Sequence, residues 1–283
     1  MVHPALNPSS TAVVTGGASG IGLAAAKRFA EIGMNVAIVD LGHDRLERAA
    51  DHLRKAGAKD VLISETDVAD MAAMVELAKD IDAWSGGADI LMNNAGIQPG
   101  SKMFGPTDNW HRIFGVNLWG PINGTQAFGP GMIKRGRPGM IINTGSKQGI
   151  TAPPGDPAYN VTKSGVKTFT EALAHELRNT ADCQITAHLL IPGFVFTELT
   201  MGDRTEKPDA AWTPEQTADF MIESLNKGDF YILCPDNDVP RSVDEKRMAW
   251  AMGDIIENRP PLSRWHPDYA DAFAMYLRDK GPS

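Results

Sequence analysis

Thr11–Asp40 reads TAVVTGGASGIGLAAAKRFAEIGMNVAIVD. A short apolar run, TAVVT, stops at two glycines. The next segment, GLAAAKRFAEIG, carries its apolar residues at helical spacing and closes on Gly33, the residue type that ends helices in a left-handed turn. NVAIVD is again a short apolar run, ending at Asp40. Strand, glycine turn, helix, strand is the βαβ unit, the connection that parallel strands require.

The same alternation continues outward. RLERAADHLRKAG predicts a helix closed by Gly57, DVLISETDV a third strand, MAAMVELAKDIDAW a helix and ADILMNNAG a fourth strand. A helical stretch over Trp110–Ile133 precedes a fifth strand, GMIINTGS. The long helix PAYNVTKSGVKTFTEALAHELRNT, the strand CQITAHLLIPG, the helix TPEQTADFMIESLNKG and the strand DFYILCPD complete the series. This order predicts an α/β fold, a Rossmann-type doubly wound parallel sheet of about seven strands with helices on both faces. Unbroken apolar cores such as AIV, DILM and MII suit strands covered on both sides. Residues 1–283 are expected to form a single domain. Within it, 236–283 read as a C-terminal extension, helical pieces anchored by aromatics, packed on the same domain or on a partner subunit.

Bulk properties narrow the function. The chain has 283 residues, 42% apolar and 22% charged, with a net charge of -8. An acidic chain without basic stripes is not expected to bind nucleic acid. Two distant cysteines make neither a disulfide framework nor a metal pair, and the seven histidines show no HExxH spacing, so no metal is expected. The N-terminal MVHPALNPSS has no basic and apolar leader pattern, and no window is apolar enough to span a membrane. The expectation is a cytoplasmic protein.

The turn TGGASGIG, Thr15–Gly22, holds Gly16, Gly20 and Gly22 as GxxxGxG, with Ser19 and Ile21 between them. A turn opening a helix presents backbone N–H groups and a partial positive charge to a pyrophosphate. Glycines permit the close approach. Asp40, at the end of the second strand, stands where an acid hydrogen-bonds the ribose 2′-hydroxyl of NAD. A carboxylate facing a 2′-phosphate would cost up to about 4 kcal/mol per charge pair at ~4 Å and an effective dielectric of ~20. That disfavours NADP. No Lys or Arg lies in the glycine turn or directly after Asp40 to compensate; the nearest, Arg45, is expected to point from the next helix.

A second constellation follows. Ser146 ends the fifth strand, and Tyr159 and Lys163 lie one turn apart on a single helix face. Near an ammonium and an oxidised nicotinamide, the phenol pKa is expected to fall toward working pH, where it serves as general acid or base. Ser146 would orient the substrate oxygen.

With these residues in hand, the sequence resembles the short-chain dehydrogenase/reductase family over roughly residues 10–235. The matching set, in order, is TGGASGIG, Asp67–Val68, Asn93–Gly96, Val116–Asn117, Ser146, YNVTK at Tyr159–Lys163, and PGFVFT at Pro192–Thr197. The resemblance implies that Asp67 and Val68 hold the adenine and that Asn94 lies along the cofactor ribose. It implies that Asn117 supports a water path to Lys163, that Lys163 also binds the nicotinamide ribose, and that Val195 and Thr197 fix the carboxamide. Many members carry a DGG segment after the seventh strand, used in tetramer packing. FYILCPDND stands there instead, which leaves homodimer or homotetramer open. RGRPGMIINTGS and the tail also resemble bacterial side-chain dehydrogenases of aromatic alcohols.

Substrate walls are expected from the loops after Gly96, after Ser146 and after Thr197. They offer Ile97, Gln98, Lys147, Gln148, Phe194, Phe196, Leu199, Met201 and Trp212, mostly apolar, with TELTMGDRTEKPDAAW as a lid. Lys147 is expected either as a solvated lysine or as a contact for a substrate carboxylate. The reading is an NAD-dependent oxidoreductase interconverting a hydrophobic, aromatic secondary alcohol and its ketone. Two rivals stay open: an NAD-binding regulator without turnover, and an epimerase or dehydratase with retained NAD.

Overall fold

A computed structural model of the chain describes residues 2–279; Met1 and residues 280–283 of the expected 1–283 domain lie outside the described residues. The first half runs β1 (Thr11–Thr15), α1 (Gly20–Glu31), β2 (Asn35–Asp40), α2 (His43–Ala56), β3 (Asp60–Glu65), α3 (Met71–Ser85) and β4 (Ile90–Asn93). It continues through α4 (Asp108–Phe114), α5 (Gly120–Arg135), β5 (Gly139–Thr144), α6 (Gln148–Thr151) and α7 (Pro157–Asn179). Then come β6 (Ile185–Ile191), α8 (Glu198–Met201), α9 (Pro214–Lys227), β7 (Tyr231–Leu233), α10 (Arg241–Ile256) and α11 (Ala270–Arg278).

The strands form one seven-stranded sheet in the order β3-β2-β1-β4-β5-β6-β7, and every pair is parallel. Successive side chains of a strand face opposite sides, and the core divides accordingly. Ala12, Val14, Ile90, Met92, Met140 and Ile142 meet α1, α2 and α9 through Phe29, Leu46, Leu53 and Met221. Val13, Leu91 and Ile141 meet α3, α5 and α7 through Met74, Ile81, Phe128 and Leu177. β1 is flanked by β2 and β4, so the strand order reverses there. A ligand crevice belongs outside the carboxyl ends at such a switch point.

Two departures from a plain alternation matter for the site. The helical stretch expected over Trp110–Ile133 is broken by a π-helical turn, Gly115–Trp119, between α4 and α5. Asn117 sits on that turn, fully buried. Single π turns inside helices often mark functional positions. The second departure is the chain after β7. Trp250 of α10 is buried and donates its indole N–H to Ser263 Oγ at 2.7 Å. Arg259 lies 4.2 Å over the Trp250 ring, and Phe273 and Tyr276 each pack 5.2 Å from it. Asp254 ties this hub together, accepting from Arg259 Nε at 3.0 Å and from Ser263 N at 3.0 Å. Among the described residues, no helix is long and apolar enough to cross a membrane.

Candidate active site

A groove of about 430 Å³ runs across the carboxyl ends of β1, β2 and β4, lined among others by Gly16, Ser19, Gly20, Ile21, Asp40, Asp67, Val68, Asn94 and Thr197. Its floor needs glycine. Gly16 has φ +64°, and a Cβ there would stand 2.8 Å from Ala95 Cα; a Cβ on Gly22 would collide with the Gly16 carbonyl oxygen. Ser19, at the N-cap of α1, makes no side-chain capping bond. The first-turn amides thus have no partner from their own helix and suit a phosphate.

The polar residues of the groove are held by the backbone. Asp40 accepts from the amides of Ala18 at 3.0 Å and Leu41 at 2.8 Å, which joins the glycine turn to the end of β2. Asn94 donates to the carbonyls of Thr15 at 3.2 Å and Gly16 at 3.3 Å. Asp67 accepts from Ala69 N at 2.9 Å, and Val68 is buried against Gly120, where a Cβ would stand 2.8 Å from Val68 Cγ2.

Arg45 projects from α2, the helix after β2, toward the glycine turn. Its Nη2 donates to Ser19 Oγ at 3.1 Å and lies 3.5 Å from Glu198 Oε2, and both Arg45 and Glu198 line the groove. α2 begins at His43, so Arg45 falls in its first turn, beside the phosphate end. Glu198, opening α8 immediately after Thr197, is a groove residue that the sequence analysis missed. Val195 is buried and pairs through its backbone with Trp212; it does not line the groove.

Ser146, Tyr159 and Lys163 do not line this groove; they adjoin it through Gly96 on its wall. The Tyr159 hydroxyl stands beside the Ser146 side chain, which pulls the phenol pKa down, and Ser146 Oγ accepts from Gln148 N at 3.1 Å. Lys163 Nζ donates to the Thr144 carbonyl at 2.8 Å and lies 5.7 Å from the Tyr159 ring centroid. Gly96, on the groove wall, connects the groove to them: a Cβ there would stand 3.8 Å from Lys163 Nζ and 3.6 Å from Asn117 Oδ1. Asn117 accepts from Ile97 N at 2.8 Å and donates to Ile97 O at 2.9 Å, so both ends of its amide hold the loop after β4.

Burial sets the electrostatics of the Tyr159 and Lys163 pair. Burial pushes the Tyr159 phenol up to about 12, the Ser146 hydrogen bond pulls down, and Asp156 pushes up. Burial also drives Lys163 down to about 8. Desolvation is the largest influence on both groups, and the fall expected of the phenol belongs to a site holding the positive charge of an oxidised nicotinamide, which acts against burial.

The substrate walls are mixed. Gln98, Gln148, Phe194 and Met201 are half-buried on the three expected loops. Trp212 is drawn away, packing edge-on against Phe220 at 5.7 Å on the first core. Lys147 is neither solvated nor turned to substrate: its ammonium is ion-paired with Asp236 at 2.8 Å and Asp244 at 2.5 Å. Ser101 donates to Asp156 and thereby joins the loop after β4 to the start of α7.

The family model for short chain dehydrogenases matches residues 10–208. The chain is 32% identical over 247 residues to a 1-deoxy-11-beta-hydroxypentalenate dehydrogenase of Streptomyces avermitilis, covering 85% of this chain and 90% of the relative. It is 33% identical over 219 residues to a D-beta-hydroxybutyrate dehydrogenase of Rhizobium meliloti, covering 77% and 82%. Among solved structures, a short chain dehydrogenase/reductase of Burkholderia phymatum in complex with NAD superposes with a TM-score of 0.79 and 30% identity, over 89% of this chain and 96% of the other. The chain therefore belongs to the short-chain dehydrogenase family, oxidoreductases that act on hydroxyl groups.

Proposed function

We propose that this short-chain dehydrogenase is an NAD-dependent alcohol dehydrogenase or ketone reductase acting on a hydrophobic, aromatic secondary alcohol. The observation that carries the reading is the Tyr159 hydroxyl beside Ser146, with Lys163 Nζ 5.7 Å from the ring centroid, next to a groove whose glycine floor suits a dinucleotide. The relative bound to NAD and the place of Asp40 on the groove wall support NAD as the cofactor.

Bound there, the nicotinamide would supply the hydride acceptor or donor. The first-turn amides of α1 would hold its phosphates, and Asp40 its adenosine ribose. Ser146 would donate to the substrate oxygen and orient it. Tyr159 would take the proton from an alcohol, or give it to a ketone, at that same oxygen. Lys163, close to the ring and low in proton affinity, would exchange protons through the region that Asn117 and Gly96 shape. Phe194, Phe196 and Met201 would favour an apolar substituent.

The test is NADH absorbance with a panel of aryl and alkyl secondary alcohols, run in parallel with NADP. Turnover with NAD on aryl alcohols is expected, falling at least about 10²-fold in Tyr159→Phe. Preference for NADP would defeat the role given to Asp40. Bound NAD without turnover across the panel would favour the regulator, and tightly retained NAD without net NADH an epimerase.

A further inference from the structure

Lys147 follows Ser146 directly, yet its side chain lines a separate small cavity of about 50 Å³ with Asp244, Arg247 and Arg264. The side chains of Lys147, Asp236 and Asp244 are only 16%, 11% and 6% exposed. The two carboxylates come from beyond β7. Asp236 follows the strand, and Asp244 sits in the first turn of α10. Asp236 uses both oxygens: Oδ1 accepts from Lys147 Nζ at 2.8 Å and Oδ2 from Phe194 N at 2.9 Å. The cluster presses on the Pro192–Gly193 turn. A Cβ on Gly193 would collide with Asp236 Oδ2 and stand 2.8 Å from Lys147 Nζ. The backbones are joined as well, Gly145 N donating to Leu190 O at 2.7 Å and Lys147 N to Pro192 O at 3.2 Å.

We propose that Lys147, Asp236 and Asp244 are positioning residues, an ionic staple by which the chain beyond β7 fixes Ser146 against the Phe194–Thr197 segment. The catalytic consequence rests on the proposed dehydrogenase reading. A buried ion pair is a poor device for stability, because desolvation opposes the attraction. Arg247 Nη1 adds a second cation 4.0 Å from Asp244 Oδ1, and burial still raises the pKa of Asp244. What such a cluster does supply is direction: one ammonium and one carboxylate fix the residue after Ser146 and the amide of Phe194 at once. Ser146 would place the substrate oxygen, and the segment ending in Thr197 would place the cofactor ring. A displacement of about 1 Å between reacting groups costs on the order of 10²-fold in rate.

The test compares Asp244→Asn, Lys147→Met and their double variant in the full chain, with Glu257→Gln, a surface partner of Arg259, as control. Two readouts are used: amide hydrogen exchange at residues 145–148 and 193–196, and kcat per NADH-binding site on whichever panel alcohol the parent oxidises. Exchange is expected to accelerate at both segments in Asp244→Asn. Its kcat should fall about tenfold or more, with NADH stoichiometry unchanged. The double variant should be no slower than Lys147→Met, since Asp244 acts through Lys147. The control should match the parent. Unchanged exchange in Asp244→Asn, or losses that add in the double variant, would overturn the staple. If Lys147→Met does not fold, Asp244→Asn decides through exchange and kcat. A parent inactive on every alcohol would defeat the dehydrogenase reading alone, and the exchange data would still judge the staple.

Discussion

Two ammonium groups, Lys163 buried and Lys147 half-buried, flank the candidate active site, and they are held in opposite ways. Lys163 is 4% exposed, receives only the Thr144 carbonyl at 2.8 Å, and forms no ion pair among the described residues. Burial alone drives its pKa down to about 8. The Lys147 side chain, 16% exposed, meets two carboxylates. An unmatched buried ammonium is held at a cost in stability and gives up its proton readily, which suits proton exchange with Tyr159. A matched one fixes geometry. On the proposed reading, the same residue type would do chemistry on α7 and architecture beside Ser146, and the neighbours would decide which.

The same substitution at both lysines should break them apart most sharply. Lys147→Met leaves Asp236 without its cation and Asp244 with only Arg247 at 4.0 Å, and should cost about 3–5 kcal/mol in denaturant unfolding. Lys163→Met should abolish turnover and yet leave the fold about 1 kcal/mol more stable at neutral pH. Relief of burial there exceeds the loss at the Thr144 carbonyl. Equal destabilisation at both sites would refute the distinction.

Titration sharpens it further. Lys163 has a folded pKa of about 8, below its ordinary 10.5. Its contribution to stability is therefore fully present above 10.5 and lost as pH falls through 8. Tyr159 has a folded pKa of about 12, above its ordinary 10.0. Its contribution is full below 10.0 and lost as pH rises through 12. From neutral pH to 10 only Lys163 moves, so the stability advantage of Lys163→Met should shrink across that window. Unfolding midpoints of parent and variant, taken at both ends, measure the gap; a constant gap would mean that Lys163 is not desolvated as described.

What the sequence showed and what it hid follow the same division. The glycine turn, Asp40 and the Ser146, Tyr159 and Lys163 set were legible because each answers a local demand at fixed spacing: a turn without Cβ, a strand end, one face of a helix. The seven strands were legible because burial on both faces leaves unbroken apolar runs. The partners of Lys147 were hidden, since Asp236 and Asp244 lie 89 and 97 residues further on and only the sheet brings them back. Burial hid the direction of the Tyr159 shift, because an ammonium one turn away says nothing about desolvation. The π turn that places Asn117 left no periodic trace in a stretch that reads as one helix. Arg45 was legible only as a charge on an amphipathic helix, and its direction depended on where α2 begins.

Arg45 provides the smallest effect and a third case for the comparison. Its pair with Glu198 crosses the groove at 3.5 Å, with side chains 43% and 67% exposed. Water screens such a pair, and exposed pairs contribute about 0.2–1 kcal/mol. Arg45→Ala should therefore leave the unfolding midpoint nearly unchanged. Because the pair ties α8 to the Ser19 turn, NADH release, followed by fluorescence after rapid mixing, should quicken by about twofold, the rate equivalent of that energy. Salt should abolish the difference, since exposed charges are screened within about 8 Å at physiological ionic strength and more closely above it. The Lys147 cluster, whose side chains are much less exposed than those of Arg45 and Glu198, should keep its effect on kcat in the same salt. A salt-sensitive Lys147 effect would place that cluster with Arg45 among the screened pairs and remove the reason for treating it as a fixed staple.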